Sequence, residues 1–181
     1  MATGVNLRFR VATLDDVPQL QTLIQNAFRA EDSRQDWTGD MEISRHFRIG
    51  TDEIAAQITT ADSAILIATD NKDSIIATIS IRNRIPKVAR LSMIAVDPYH
   101  HRAGIGRRVL AYAEDYCQTA WGATKAELNA LSMRPELIAW YIRCGYRKTG
   151  ELTPFRPRHV DGRTFPDDLC FVEMEKELGQ E

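Results

Sequence analysis

Gly104 and Gly106 stand where an apolar, β-branched stretch gives way to a helical pattern, and their spacing is the strongest chemical signal in the chain. The run reads Val96-Asp97-Pro98-Tyr99-His100-His101-Arg102-Ala103-Gly104-Ile105-Gly106-Arg107-Arg108-Val109-Leu110. Two missing side chains at a strand-to-helix turn let successive backbone N–H groups face one concavity, and such a nest binds anions. The dipole of the helix that follows adds roughly 0.3–1 kcal/mol per nearby negative charge, up to ~2 where the site is partly buried. Arg102, Arg107 and Arg108 supply charge-assisted donors. A diphosphate suits this site, although Gly-x-Gly alone also serves as a plain tight turn. A P-loop is excluded because no Gly-Lys-Ser/Thr follows, and a dinucleotide fold because the third glycine and its downstream acid are missing.

Other reactive side chains are dispersed. His46, His100, His101 and His159 have no metal-ligand spacing, so no catalytic metal is expected. Cys117, Cys144 and Cys170 are odd in number and far apart, which reads as small buried hydrophobes rather than a disulfide framework or zinc site. Glu127 and Asn129 fall two residues apart on one face of a strand, where the carboxylate could take a proton and the amide could hydrogen-bond. Asp36, Asp40 and Glu42 are further candidates, set with Glu31, Asp32 and Trp37 in a stretch without periodicity. Five acids beside a tryptophan suggest a cationic acceptor, whereas Arg156, Arg158 and Arg163 in a proline-rich loop would suit a carboxylate; the sequence leaves both open.

The elements that must position these groups follow from periodicity. Leu7, Phe9 and Val11 alternate with polar residues in a first strand. Thr13-x-x-Asp16 caps a helix running to about Arg29, with Val17, Leu20, Leu23, Ile24, Ala27 and Phe28 as its apolar stripe. Residues 30 to 50 lose periodicity, and Thr51 then caps a short second helix. Ala64 to Ala68 is an apolar strand; Ile75, Ala77, Ile79 and Ile81 alternate through its hairpin partner; Val88 to Val96 is the strand that Asp97-Pro98 stops. Ile105, Val109, Leu110, Ala113 and Cys117 mark a helix beginning near Gly104. Ala126 to Leu131 is a strand, Pro135 opens a helix to about Arg143 that Gly145 ends, and Tyr146 to Leu152 and Leu169 to Met174 are the last strands. The order β-α-α-β-β-β-α-β-α-β-β is an α/β domain on a mixed, mostly antiparallel sheet.

Val-Asp-Pro, five residues, then Gly-Ile-Gly-Arg resembles the acyl-CoA loop of the GNAT (GCN5-related) N-acetyltransferases, Gln/Arg-x-x-Gly-x-Gly/Ala, with His101 at the usual Gln/Arg position. Ala139-Trp140-Tyr141-Ile142-Arg143-Cys144-Gly145-Tyr146 resembles the family's Phe-Tyr-x-x-x-Gly-Phe at about the expected distance downstream. The likeness extends over most of residues 6 to 175. It implies the GNAT fold: a seven-stranded, mostly antiparallel sheet with about four helices and splayed central strands, acyl-CoA lying in the cleft. It further implies that the backbone of Ile94, Ala95 and Val96 pairs with the pantetheine arm, and that His101, Arg102, Ala103, Gly104, Ile105, Gly106 and Arg107 hold the diphosphate. Tyr141 matches the tyrosine near the cofactor sulfur, a general acid for the departing thiolate. Arg134 stands where the family often has Asn and could reach cofactor or substrate. Glu127 is the preferred general base.

The 181 residues fit one domain, 1–181, able to bury roughly two-thirds of its unfolded surface. A net charge of −2 without basic runs argues against nucleic-acid binding. No apolar run reaches a membrane span, and Met1 to Asn6 lacks a signal-peptide core, so a cytoplasmic location is expected. The function expected is acetyl-CoA-dependent N-acetylation of a small-molecule primary amine in a ternary complex, by a monomer or homodimer. The alternatives are acetylation of peptide or protein amines and a non-catalytic acyl-CoA sensor.

Overall fold

A run of five apolar residues with no polar alternation is stable only where both faces are covered, and Ala64 to Ala68 meet that demand inside the sheet. The computed structural model describes residues 6–30, 41–84, 86–101, 103–156 and 165–179, apart from the side chains of 41 and 42. Its strands are β1 (Arg8–Val11), β2 (Ser63–Thr69), β3 (Ile75–Arg84), β4 (Val88–Val96), β5 (Lys125–Leu131), β6 (Arg147–Pro154) and β7 (Cys170–Glu177). They form one sheet in the order β1-β2-β3-β4-β5-β7-β6, antiparallel everywhere except between β4 and β5. Leu66 and Ala68 of β2 pack into a core on one face, Ile65 and Ile67 into a core on the other.

Helices cover the two faces. On one side α1 (Val17–Arg29) and α3 (Thr51–Thr59) bring Val17, Leu20, Leu23, Ile24 and Ile54 onto Ile65, Ile67, Ile75 and Ala95. On the other, α4 (Ile105–Trp121) buries the predicted stripe of Ile105, Val109, Leu110, Ala113 and Cys117, and α5 (Pro135–Arg143) buries Leu137, Ile138 and Tyr141. Among the described residues, no helix is long and apolar enough to cross a membrane.

Several boundaries and one element differ from the reading of the sequence: β3 runs on past Ile81 to Arg84, and β7 past Met174 to Glu177. The Thr13/Asp16 pair caps a 3-10 turn at Leu14–Asp16, and α1 follows it. Gly50, not Thr51, precedes α3, and its N–H donates to Glu53 Oε1 at 3.3 Å. A fifth helix, α2 (Met41–Arg45), occupies part of the stretch without periodicity, because five residues are too few to show a repeat.

The feature that shapes the site is a seam. Between β4 and β5 the ladder has three pairs, Val88/Lys125, Ala89/Ala126 and Arg90/Glu127. Beyond Arg90 and Glu127 the strands part, β4 remaining bonded to β3 and β5 to β7. A bulge in β4 coincides with the parting: the register with β3 shifts between Thr78 and Ser80, and Met93 takes φ +53. The splayed central strands implied by the sequence resemblance are present.

Candidate active site

The gap between the diverging strands is walled on the β4 side by Ile94, Ala95 and Val96. Ile94 and Val96 pack toward the α4 core, Ala95 toward the α1 core. Asp97 N–H donates to Ile76 O at 2.8 Å, so the alternation of amide directions along a strand turns the Ile94 and Val96 N–H groups into the gap. At the open end, Asp97 Oδ1 accepts the Tyr99 N–H at 3.0 Å, which sets the 3-10 turn Pro98–His100 leading to the glycine loop.

Gly104 is the N-cap of α4 with φ +70, a conformation that glycine adopts without penalty. A Cβ added there would meet nothing within 4 Å, so the loop encloses open space on this side. The first hydrogen bond of the helix runs from Arg108 N–H to Gly104 O at 3.2 Å. Helix geometry leaves the N–H groups of Ile105, Gly106 and Arg107 without an acceptor inside the helix. Ile105 itself is 2% exposed and points into the core, so this residue can offer a ligand only its backbone. A Cβ on Gly106 would sit 3.6 Å from Trp140 Cζ2 and 3.8 Å from Val96 Cγ2, which ties the loop to α5 and to the end of β4. Ala103, Gly104, Arg107 and Arg108 are exposed and His101 is half-buried at the same end; Arg102 lies outside the described residues.

Tyr141 projects from the buried face of α5 at 5% exposure, with the rings of Trp140 at 5.1 Å and Tyr146 at 5.9 Å. Burial pushes its hydroxyl up to about 12, against a smaller opposing effect of the Arg134 charge. Arg134 is the N-cap residue of α5, so the residue in the family's Asn position faces the same neighbourhood as Tyr141. Tyr146 is held from behind: its hydroxyl donates to Glu114 Oε1 at 2.9 Å, while Lys176 Nζ reaches Glu114 Oε2 at 2.8 Å and Cys144 O at 3.0 Å.

The opposite face of β5 carries Glu127 and Asn129, at the closed end of the gap. They line a polar depression of about 510 Å³ with Arg84, Arg90, Thr153 and Glu173. Glu127 Oε2 lies 3.5 Å from Arg84 Nη1 and its side chain is 30% exposed. Arg90, Thr153 and Glu173 were not singled out in the sequence; the legible signal was an arginine inside an otherwise apolar strand and glutamates at alternate positions of β7. Asp36, Trp37, Asp40, Arg158 and Arg163 lie outside the described residues, as does the side chain of Glu42. Among the described residues no three His, Cys, Asp or Glu side chains gather as a metal site requires.

Residues 25–146, which hold the split strands, the glycine loop and all of α5, match the model of the acetyltransferase (GNAT) family. The chain belongs to the GNAT acetyltransferase family. GNAT enzymes take acetyl-CoA as their co-substrate. "Probable N-acetyltransferase 14" of Mus musculus is 35% identical over 68 residues, 34% of this chain and 32% of that relative, so the chain matches about a third of its length. The ribosomal-protein-S18-alanine N-acetyltransferase of Escherichia coli superposes with a TM-score of 0.72 at 19% identity, over 97% of this chain and 96% of that one. A chimera of the spermidine N-acetyltransferase SpeG of Vibrio cholerae with hSSAT gives 0.68 at 19% identity, over 94% and 95%. The fold is therefore shared over nearly the whole chain.

Proposed function

We propose that this GNAT enzyme transfers the acetyl group of acetyl-CoA to the primary amine of a small molecule, by direct attack in a ternary complex. The observation that carries the proposal is the gap between β4 and β5, which opens beside the left-handed Gly104 at the head of α4. A thioester arm lying along Ile94, Ala95 and Val96 would find backbone donors, and its diphosphate would find the N–H groups of Gly104, Ile105, Gly106 and Arg107, with Arg102, His101 and Ala103 completing the loop. Acetyl-CoA would supply the activated acyl carbon. A backbone N–H turned into the gap would stabilise the negative charge that grows on the carbonyl oxygen as the amine attacks, a contribution of ~2.7–4 kcal/mol for one such donor.

Tyr141 is the group assigned to the leaving sulfur. A phenol raised to about 12 keeps its proton throughout the neutral range. An ordinary thiol has a pKa of about 8.5, so the thiolate is the weaker base, and Tyr141 assists chiefly by donating a hydrogen bond as charge develops. Arg134 would add positive charge nearby. Glu127 is assigned to the amine's proton, since it is partly exposed in the depression where an acceptor would approach the closed end of the gap. A second reading, acetylation of a peptide amine, draws on the openness of that depression along β6, every residue of which is exposed.

Isothermal titration with acetyl-CoA, on the wild-type chain and on Gly104→Glu, tests the cofactor half. Saturable binding that the variant loses supports the assignment, and a wild-type chain that does not bind acetyl-CoA overturns it. Thiol release over matched panels of small amines and peptides tests the acceptor half. Turnover confined to peptides selects the second reading, and binding without turnover on either panel makes the protein a sensor. Glu127→Gln should cost most activity near neutral pH; an unaltered pH profile removes Glu127 from the mechanism.

A further inference from the structure

The two halves of the sheet, β1 to β4 and β5 to β7, share three backbone pairs, all at one end of the seam. So short a ladder fixes where the strands meet but constrains little the angle at which they diverge, and that angle sets the width of the gap. On the face away from α4 the carboxylate of Glu173 ties this junction together. Glu173 of β7 accepts from Arg90 Nη1 of β4 at 2.7 Å on Oε2, and from Asn129 Nδ2 of β5 at 2.9 Å and Thr153 Oγ1 of β6 at 2.8 Å on Oε1. Four strands therefore converge on one side chain. Arg90 is the last residue of β4 paired to β5, and Asn129 lies two residues beyond the last paired residue of β5, on the diverging arm. The Arg90–Glu173 bond thus spans β5 from the hinge to the strand behind the arm. Both side chains are largely enclosed, at 18% and 15% exposure. Burial alone would raise the Glu173 carboxyl, yet the bonds from Arg90, Asn129 and Thr153 outweigh it and hold the group below the usual carboxylate range.

We infer that Glu173, with Arg90 as its partner across the seam, is a positioning residue that sets the opening of the β4–β5 gap and hence its grip on the arm of acetyl-CoA. The inference rests on the gap being the acetyl-CoA site. Both oxygens of Glu173 are held by side chains of neighbouring strands, which fits a mechanical role. Its partners reach it from sequence positions 90, 129 and 153, so no local segment can replace it.

The test uses Arg90→Gln, Glu173→Gln, the double variant and the milder Thr153→Val, with Arg90→Lys as the conservative control. Two readouts are taken: kcat and KM for each substrate by thiol release, and amide hydrogen exchange of the chain without ligand. Each glutamine single should raise KM for acetyl-CoA about tenfold, and kcat should fall by less, since both residues also line the depression that holds Glu127. The double should lie close to the Glu173→Gln single rather than at the sum of the two, since both singles remove the Arg90–Glu173 bond. Arg90→Lys should recover most of the loss, and Thr153→Val should shift KM in the same direction by less. Exchange should quicken in 91–96 and 128–131 while β1 and β2 stay as in the wild type. Additive singles, a KM unchanged in both, or an increase in exchange spread evenly over the chain would each overturn the inference. A wild-type chain that fails to bind acetyl-CoA would remove the functional reading, and the exchange pattern would still decide whether Glu173 sets the junction.

Discussion

Replacing Gly104 and Gly106 separately by alanine should move stability in opposite directions, although both belong to one motif. At Gly104 the added Cβ meets nothing within 4 Å, so the whole cost is conformational. Holding an L-residue at φ +70 costs about 1–2 kcal/mol. At Gly106 the backbone is ordinary helix, and a Cβ would rest 3.6–3.8 Å from Trp140 and Val96, normal contact distances. Alanine there should gain about 0.5–1 kcal/mol from the backbone freedom it removes. For a chain of this length each kcal/mol moves Tm by about 2–4 °C. Gly104→Ala should therefore melt several degrees below the wild type, and Gly106→Ala one to four degrees above it, roughly. The assay is thermal unfolding with and without acetyl-CoA. At about 100 times Kd a ligand adds ~2.7 kcal/mol to the stability of the native state, so the loss of that increment measures the loss of binding. Gly106→Ala should keep the increment, and Gly104→Ala, whose methyl enters the open side of the loop, should lose most of it. Two variants that destabilise equally would refute the assignment of different roles to the two glycines.

Tyr141→Phe should lower kcat about a hundredfold, the lower end of what one hydrogen-bond donor to developing charge contributes, and leave acetyl-CoA affinity unchanged by calorimetry. Because the hydroxyl titrates near 12, the wild-type rate should show no alkaline limb from Tyr141 below about pH 10. Asp16, whose carboxyl is held low first by the two Arg10 bonds at 2.7 and 2.8 Å, has a folded pKa below its unfolded one. Its contribution is then complete above the unfolded value of about 3.9 and lost as pH falls through the lower folded value. Asp16→Asn should accordingly cost about 1–2 kcal/mol at pH 7 by urea unfolding, and the difference from wild type should shrink only on strong acidification. The Cys117 thiol, pushed by burial up to about 12, should resist iodoacetamide at pH 8 until the chain unfolds, as a peptide-level mass measurement would show.

Where a residue's environment is set by its sequence neighbours, the fold was legible. The apolar run of β2, the stripe of α4 and the Pro135 start of α5 each carry a local pattern, and their bounds came out within a residue or two. The strand-to-helix turn at Gly104 was legible because a glycine pair between two periodic patterns marks such a turn, and Tyr141 lies on the buried face of its helix. The bulge at Met93 was not, since methionine is no turn former and the left-handed conformation is imposed by β3 and the packing of the α1 core. The Glu173 junction was hidden for a different reason. Its four members are scattered over more than eighty positions, and each looks like an ordinary surface residue until the sheet order brings β4, β5, β6 and β7 side by side. Alternation along β7 announced a polar face without saying what would lie on it.

That strand has one more consequence. Met174 and Lys176 of β7 face α4, the lysine reaching Glu114, whereas Glu173 and Glu175 face the other way, Glu175 pairing with Lys125 at 3.1 Å and with Arg147. A slip of one residue against β5 would drive two glutamates beneath the apolar roof of α4 and α5 and turn Met174 into water. Every such misalignment would strand charges on the wrong side of the sheet. The ionic residues of β7 thus act as a proofreading code against one-residue slips, at the sheet end where β6 is exposed throughout.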